Sequence, residues 1–431
     1  MKKFVVLSLI MVLGLGILGL TSCGSNDTEL SFAWWGGDMR AEQTVAVIDM
    51  FLDQTDNVSY IEGTFAGFGD HWEAMLTRAA AGDLPDVMQQ DVARLVEFVS
   101  GDLLMDLRPL MADNRIDVRQ IPQTIIDAGM VPGSQGVYAL PIGMNVIAMV
   151  YNRTLLQELG LEAPRNMTLD QFRDLGREIY SRSGVKTNWI GADPSIQLEV
   201  HLRAQGVNLF EGTTMGGTPA HYVEYFEFIR QGIEEGWHIH PADLLGRDGA
   251  AMNPMWYPPE NANLRTWNSP VWSNLAMAYF NDSPADMETA FTTFPSHDPI
   301  RSTFGRASMF LSITTHTDNV DEAAEFVSFW LNSVDAHRHM LGERGVIVNP
   351  TVAAAVYNDL TPTAQLITEF VEWTNSGNSS PFIAMRPQGA PEVVGTGTGE
   401  LQRLVDLVGF GELTPQEAAQ MFFDFGNATI R

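Results

Sequence analysis

The chain has 431 residues, 45% of them hydrophobic and 18% charged, which excludes a disordered polypeptide and leaves room for two domains of ordinary size. Its formal charge is −28, a field that repels phosphate backbones and anionic headgroups and so excludes nucleic acid as a partner. One cysteine leaves nothing with which to form an internal disulfide, so the fold must rest on its core alone.

The first element in chain order is a targeting segment. Lys2 and Lys3 precede a mostly apolar run from Phe4 to Leu20 and then small residues, the pattern of a secretory signal peptide. Leu20-Thr21-Ser22-Cys23 resembles the lipobox of bacterial lipoproteins. That resemblance implies cleavage before Cys23, lipid attached to Cys23, and an exported protein held at a membrane, at the cell surface or in the periplasm. The alternative is an uncleaved anchor helix, but Gly14, Gly16 and Gly19 favour a processed signal. Residues 1–22 are then the signal and 23–29 a linker.

Leu30 to Trp35 reads as a buried strand stopped by Gly36-Gly37. A helix follows from Asp38, with Val45, Ile48, Phe51 and Leu52 on one face. Val58 to Glu62 suits a second strand. Trp72, Met75, Leu76, Ala79 and Ala80 form the apolar stripe of a helix closed by Gly82. Asp86 to Asp91 is a third strand. This alternation predicts an α/β fold with parallel strands, in which ligands sit beyond the carboxyl ends of the strands. Trp34, Trp35 and Asp38 lie at one such end, and Gln90 and Asp91 at another.

Farther along, Gly136 to Asn152 reads as two strands joined by a Pro/Gly crossing. Thr168 with Gln171, and Thr414 with Glu417, are capping boxes that open helices. Val320 to Asn332 is an amphipathic helix. From Met252 to Asn274, the prolines 254, 258, 259 and 270 predict irregular chain carrying Trp256, Tyr257, Trp267 and Trp272.

Recognisable catalytic and metal patterns are missing. His337 and His339 point apart on a helix, and His238 with His240 lacks a third ligand, so these histidines read as structural or surface groups. Gly395 to Gly399 lacks the Gly-Lys-Ser/Thr end of a phosphate loop, and no Gly-x-Ser-x-Gly elbow occurs. No cofactor is expected.

Four blocks, in order, are similar to the bacterial extracellular solute-binding proteins of family 1, the sugar-binding components of ABC importers. They are Phe32 to Gly37; Leu76 to Val87, with its Gly82-Asp83-Leu84-Pro85-Asp86 turn; Tyr138 to Gly143 leading to Tyr151-Asn152; and Ala323 to Leu331, followed by Arg344-Gly345 and Val348-Asn349-Pro350. The resemblance is weaker from Trp189 to Thr303 and after Asn375.

It implies a two-lobe periplasmic-binding-protein-like fold of type II, with hinge crossings and a ligand cleft. One lobe comprises 30–142 plus 305–348, the other 143–304 plus 349–431. It also implies a monomeric receptor that catalyses nothing and delivers a sugar or oligosaccharide to an ABC permease. A surface lipoprotein glycan hydrolase and a sugar sensor without transport are the alternatives.

A sugar site needs aromatic planes for the ring faces and polar groups for the hydroxyls. Trp35 and Asp38 match family ligand positions, while strand alternation requires one of Trp34 and Trp35 to be core. Trp72 shares its face with Met75, yet lies where a family aromatic lines the cleft. Asn145 matches a polar contact, and Trp267, Asn268 and Trp272 match a loop that stacks on sugar. Arg344 either reaches ligand or pairs between segments. Trp330 and Trp373 read as core.

Overall fold

The computed structural model describes residues 28–191, 193–244, 255–256, 264–380, 386–395 and 397–431. The expected signal peptide, Cys23, most of the expected linker and Pro254, Tyr257, Pro258 and Pro259 lie outside these. Among the described residues no helix is long and apolar enough to cross a membrane.

The fold begins β1 (Glu29–Trp35), α1 (Asp38–Leu52), β2 (Tyr60–Ala66), α2 (Phe68–Ala81) and β3 (Val87–Gln90). Helix α2 ends where expected: Gly82 sits at φ 72, and its N–H returns to the carbonyls of the last turn. The predicted apolar stripes are narrower in the fold. Val45 and Leu76 are exposed, because Thr44 and Val47 on α1 and His71 and Trp72 on α2 take the inward positions.

β4 (Leu140–Asn152) follows, then the helices α3 (Leu169–Ser183), α4 (Pro194–Ala204) and α5 (Ala220–Glu234). Next come β5 (Asn268–Trp272), α6 (Ser273–Asp282), β6 (Thr289–Thr292), β7 (Gly305–Ile313) and α7 (Val320–Asn332). The last of the major helices are α8 (Pro362–Asn375) and α9 (Pro415–Thr429). Both predicted capping boxes are present: Thr168 caps α3 with Gln171, and Thr414 caps α9 with Glu417.

The seven strands make one sheet in the order β2-β1-β3-β7-β4-β5, with β6 also on β4. It is mixed, which corrects the expectation of parallel strands. Only β1–β2 and β1–β3 run parallel, while β3–β7, β7–β4, β4–β5 and β4–β6 are antiparallel. Strand–helix alternation is a local signal and holds for the first ninety or so residues. The pairing of β4 with β7 joins segments far apart in sequence, which periodicity does not encode.

Gly136 to Asn152 is likewise corrected, since β4 is a single strand from Leu140 with register shifts at Pro141/Gly143 and Gly143/Met144. A Cβ at Gly143 would lie 2.1 Å from the Arg344 carbonyl oxygen, so only glycine lets the chain at 344–346 lie against β4. Met144 and Val346 exchange backbone hydrogen bonds there, at 2.8 and 2.9 Å. Three segments thus meet at one crossing.

Alternation along β4 divides the core. Ile147 and Met149 point into a cluster with α3, α4, α5 and α9, through Phe172, Leu198, Phe226 and Phe422. Val146, Ala148 and Val150 on the other face join the cluster built on β1, β3, β7 and α7, which continues through Val271 and Ala276 to Ile367 and Phe370 of α8. The expected irregular stretch also differs: Trp272 ends strand β5, which includes Pro270. Because β5 is the last strand on the path, its missing N–H donor is tolerated.

Buried histidines tie stability to pH. Burial lowers His71, His238 and His337 to about 4 against backbone contacts that raise them. His238 shows why: Nδ1 donates to the Ile239 carbonyl (2.6 Å) and Nε2 accepts from Trp189 N–H (3.1 Å), a pairing that needs neutral imidazole. Unfolded histidine protonates near 6.5, so between that value and about 4 the unfolded chain binds more protons. Stability is therefore expected to be full above pH 6.5 and to fall through that window. Urea midpoints measured from pH 7 to pH 4 check this, and a flat series would count against it.

Candidate functional site

The carboxyl end of β3, the start of β7, the end of β5 and the N-terminus of α4 converge beside the crossing. β3 brings Gln90 and Asp91. Gln90 is fully buried, with Oε1 lacking a partner among the described residues, and Asp91 is half-buried with Oδ1 accepting from Ala93 N–H at 2.8 Å. β7 brings Arg306, paired across the sheet with Asn145 of β4. Its guanidinium lies 4.1 Å from the centre of the Trp272 indole, and its Nε is enclosed without a hydrogen-bond partner among the described residues.

From α4, Asp193 caps the helix by accepting from Ser195 N–H (3.0 Å) and Ser195 Oγ (2.6 Å), and Arg386 Nη2 donates to Ser195 Oγ at 3.1 Å. One turn on, Gln197 is 0% exposed and both of its amide atoms lack partners among the described residues. A buried amide left so costs free energy unless a ligand completes it. Burial lowers the Arg306 pKa, Asp91 and Asp193 oppose that shift, and Arg386 adds to it. The wall therefore carries two arginines and two aspartates around one indole.

The expected residues divide. Trp272 is partly exposed, with Phe304 in a T-shaped contact at 5.7 Å. Together with Gln90 and Asp91 it belongs to this wall. Trp35 and Trp72 are brought together, centroids 5.6 Å apart, over His71 and Phe98. Both are nearly covered, at 7% and 2% exposed, and the exposed member of their cluster is Phe68, the first residue of α2. Asp38 is exposed at the first position of α1.

Asn145 is buried, and its Oδ1 accepts from Ser273 Oγ at 3.5 Å. It lines a cavity of about 510 Å³ between α1, α6 and α8, whose apolar lining includes Met39, Met277, Val346, Ile347 and Ile367. Arg40, Gln43, Asn274, Asn281 and Glu343 add polar and charged groups to that lining.

Four expectations are corrected by the geometry. Trp34 faces the opposite side of the sheet from Trp35, stacked on Phe65 at 5.9 Å and seated over Gly63, as strand alternation dictates. Trp267 is 0% exposed, and its Nε1 donates to Thr187 Oγ1 at 2.8 Å inside the second core. Asn268 spends its amide on Asn188, accepting from the backbone N–H at 3.0 Å and donating to the carbonyl at 2.7 Å. Arg344 is buried, bound to Thr44 Oγ1 at 2.5 Å and ion-paired with Glu343. Its ion pair is with its own neighbour in sequence, and what joins it to a distant segment is the hydrogen bond to Thr44 on α1.

Sequence reasoning missed Arg306, Asp193, Ser195, Gln197 and Arg386. The helix start Asp193-Pro194, an N-cap before a first-turn proline, was a signal for a chain end aimed at the cleft. Arg306 carried no such mark, being a single cation in an apolar strand.

The family model for bacterial extracellular solute-binding proteins matches residues 53–335. An arabinooligosaccharide-binding protein of Halalkalibacterium halodurans is 21% identical over 312 residues, 70% of this chain and 67% of that protein. Among solved structures, an extracellular solute-binding protein family 1 member from Alicyclobacillus acidocaldarius superposes with a TM-score of 0.73 at 21% identity, covering 93% of this chain and 98% of its own. A periplasmic oligogalacturonide binding protein from Yersinia enterocolitica gives 0.75 at 18% identity, over 93% and 98%. At these identities the structural likeness establishes the two-lobe α/β fold.

Proposed function

The chain belongs to the bacterial extracellular solute-binding proteins, and from that premise we propose that it is an exported receptor, lipid-anchored at Cys23, that captures a sugar or oligosaccharide for an ABC permease. The lobes of the proposal are 30–142 plus 305–348 and 143–304 plus 349–431, closing over the ligand about the three crossing segments. The receptor works as a monomer and carries out no chemistry on its guest.

One observation carries the sugar reading: a partly exposed indole plane at Trp272 stands against Arg306, on which Asp91 and Asp193 bear, so that an aromatic face and charged hydrogen-bonding groups share one place. A saccharide offers C–H faces to the plane and hydroxyls to the rest. The arabinooligosaccharide specificity of the Halalkalibacterium relative supports the same ligand class.

The test is a melting-temperature screen with arabino-, xylo-, gluco- and galacturono-oligosaccharides, followed by chromatography of the sugars. A cognate ligand at a hundred times Kd adds about 2.7 kcal/mol of stability, which shifts the transition plainly upward. The sugar should be recovered intact. Shortened products would transfer the chain to the hydrolase alternative, and no shift with any saccharide would remove the sugar reading.

A further inference from the structure

A ligand that stacks on Trp272 meets an obstacle. The Arg306 guanidinium already lies 4.1 Å from the indole centroid, about the separation that a saccharide's C–H face needs. A sugar stacking on the face that Arg306 covers competes with it. Phe304 abuts the same indole in a T-shaped contact at 5.7 Å and is itself buried, so it does not yield.

Arg306 is held loosely for a group so enclosed. Its Nε has no hydrogen-bond partner among the described residues, in a chain whose acidic residues outnumber its basic ones by 53 to 25. Most other arginines here have a carboxylate within ion-pair distance, from Arg40 on Glu343 to Arg403 on Glu400. The carboxylates bearing on Arg306 are Asp91 and Asp193, on the two sides of the cleft, and neither forms an ion pair with it. An enclosed cation without such a partner is costly, and the charges of Asp91 and Asp193 favour its charged form.

We propose that Arg306 covers the stacking face of Trp272 in the empty receptor and that the ligand displaces it toward Asp91 and Asp193. The sugar then takes the place of one weak cation–π contact, and the displaced guanidinium gains charged partners, so the exchange costs little. Arg306 is on this account a positioning residue of the binding site. It keeps the indole covered while the cleft is empty, and its move couples stacking to a charge rearrangement that spans both sides of the cleft. The inference rests on the sugar reading above.

Proton NMR of the arginine side chains tests it directly, in the purified protein titrated with whichever saccharide of the screen raises its melting temperature. The Arg306 signals are assigned by their loss in Arg306→Lys. In the empty protein its Hδ protons should lie upfield, shielded by the indole ring current, and at saturation they should return to ordinary arginine positions. An upfield shift that persists at saturation, while the melting temperature has risen, overturns the displacement and leaves the receptor reading standing. Unshifted protons in the empty protein overturn it as well. Should no saccharide raise the melting temperature, the sugar reading fails, and this inference fails with it.

Discussion

Trp272→Ala is expected to weaken oligosaccharide binding by at least thirtyfold. The indole is partly exposed, with Phe304 packed against it and the Arg306 guanidinium 4.1 Å from its centre. A central aromatic anchor is worth about 2 kcal/mol or more on truncation, and at 1.4 kcal/mol per decade that is roughly a factor of thirty. Because part of the ring already meets solvent and its packing neighbour Phe304 is held elsewhere by Arg203, the cost to folding should be the smaller effect. Calorimetric titration beside a urea melt separates the two. Undiminished affinity in a folded variant would show that the ligand stacks on some other surface, with the Phe68 cluster next in line.

Trp267→Ala, five residues earlier, is expected to do the reverse. It removes a fully buried indole packed on Tyr151 and Phe172 and strips Thr187 Oγ1 of its donor. Aromatic-to-alanine changes in a core cost about 3–5 kcal/mol, through lost contacts and the cavity left behind. Thr187 is itself a structural node: its backbone N–H and carbonyl bond Trp237 and Ile239, so the damage reaches the bridge between the chain at 186–188 and that at 237–239. The urea midpoint should fall sharply, while whatever fraction stays folded at low temperature binds saccharide with near-parent affinity. A stable variant that has lost its ligand would return Trp267 to the binding site and displace the assignment made from its burial.

These two tryptophans show where the sequence stops being legible. Both lie in one short aromatic stretch, and composition gives no ground for preferring either. Their separation follows from β5 and from what packs on each side of it. Trp267, just before the strand, drops into the core behind α3, whereas Trp272, at its end, emerges beside β7. Asn268 has the same history. As an asparagine beside a tryptophan it suited a sugar contact, and only the approach of Asn188 shows that its amide is already satisfied.

By itself the sequence determined the targeting signal as an expectation, the strand–helix alternation of the first lobe, the capping boxes of α3 and α9, the closure of α2 at Gly82 and the family. All of these are set by neighbours within a few residues, where caps, turns and periodicity act. The three-way crossing, the antiparallel pairing of β4 with β7 and the gathering of Asp91, Asp193, Arg306 and Arg386 around Trp272 were decided only in three dimensions. Those groups come from chain segments up to about three hundred residues apart, and a charge or an indole acquires its role from what the fold sets against it.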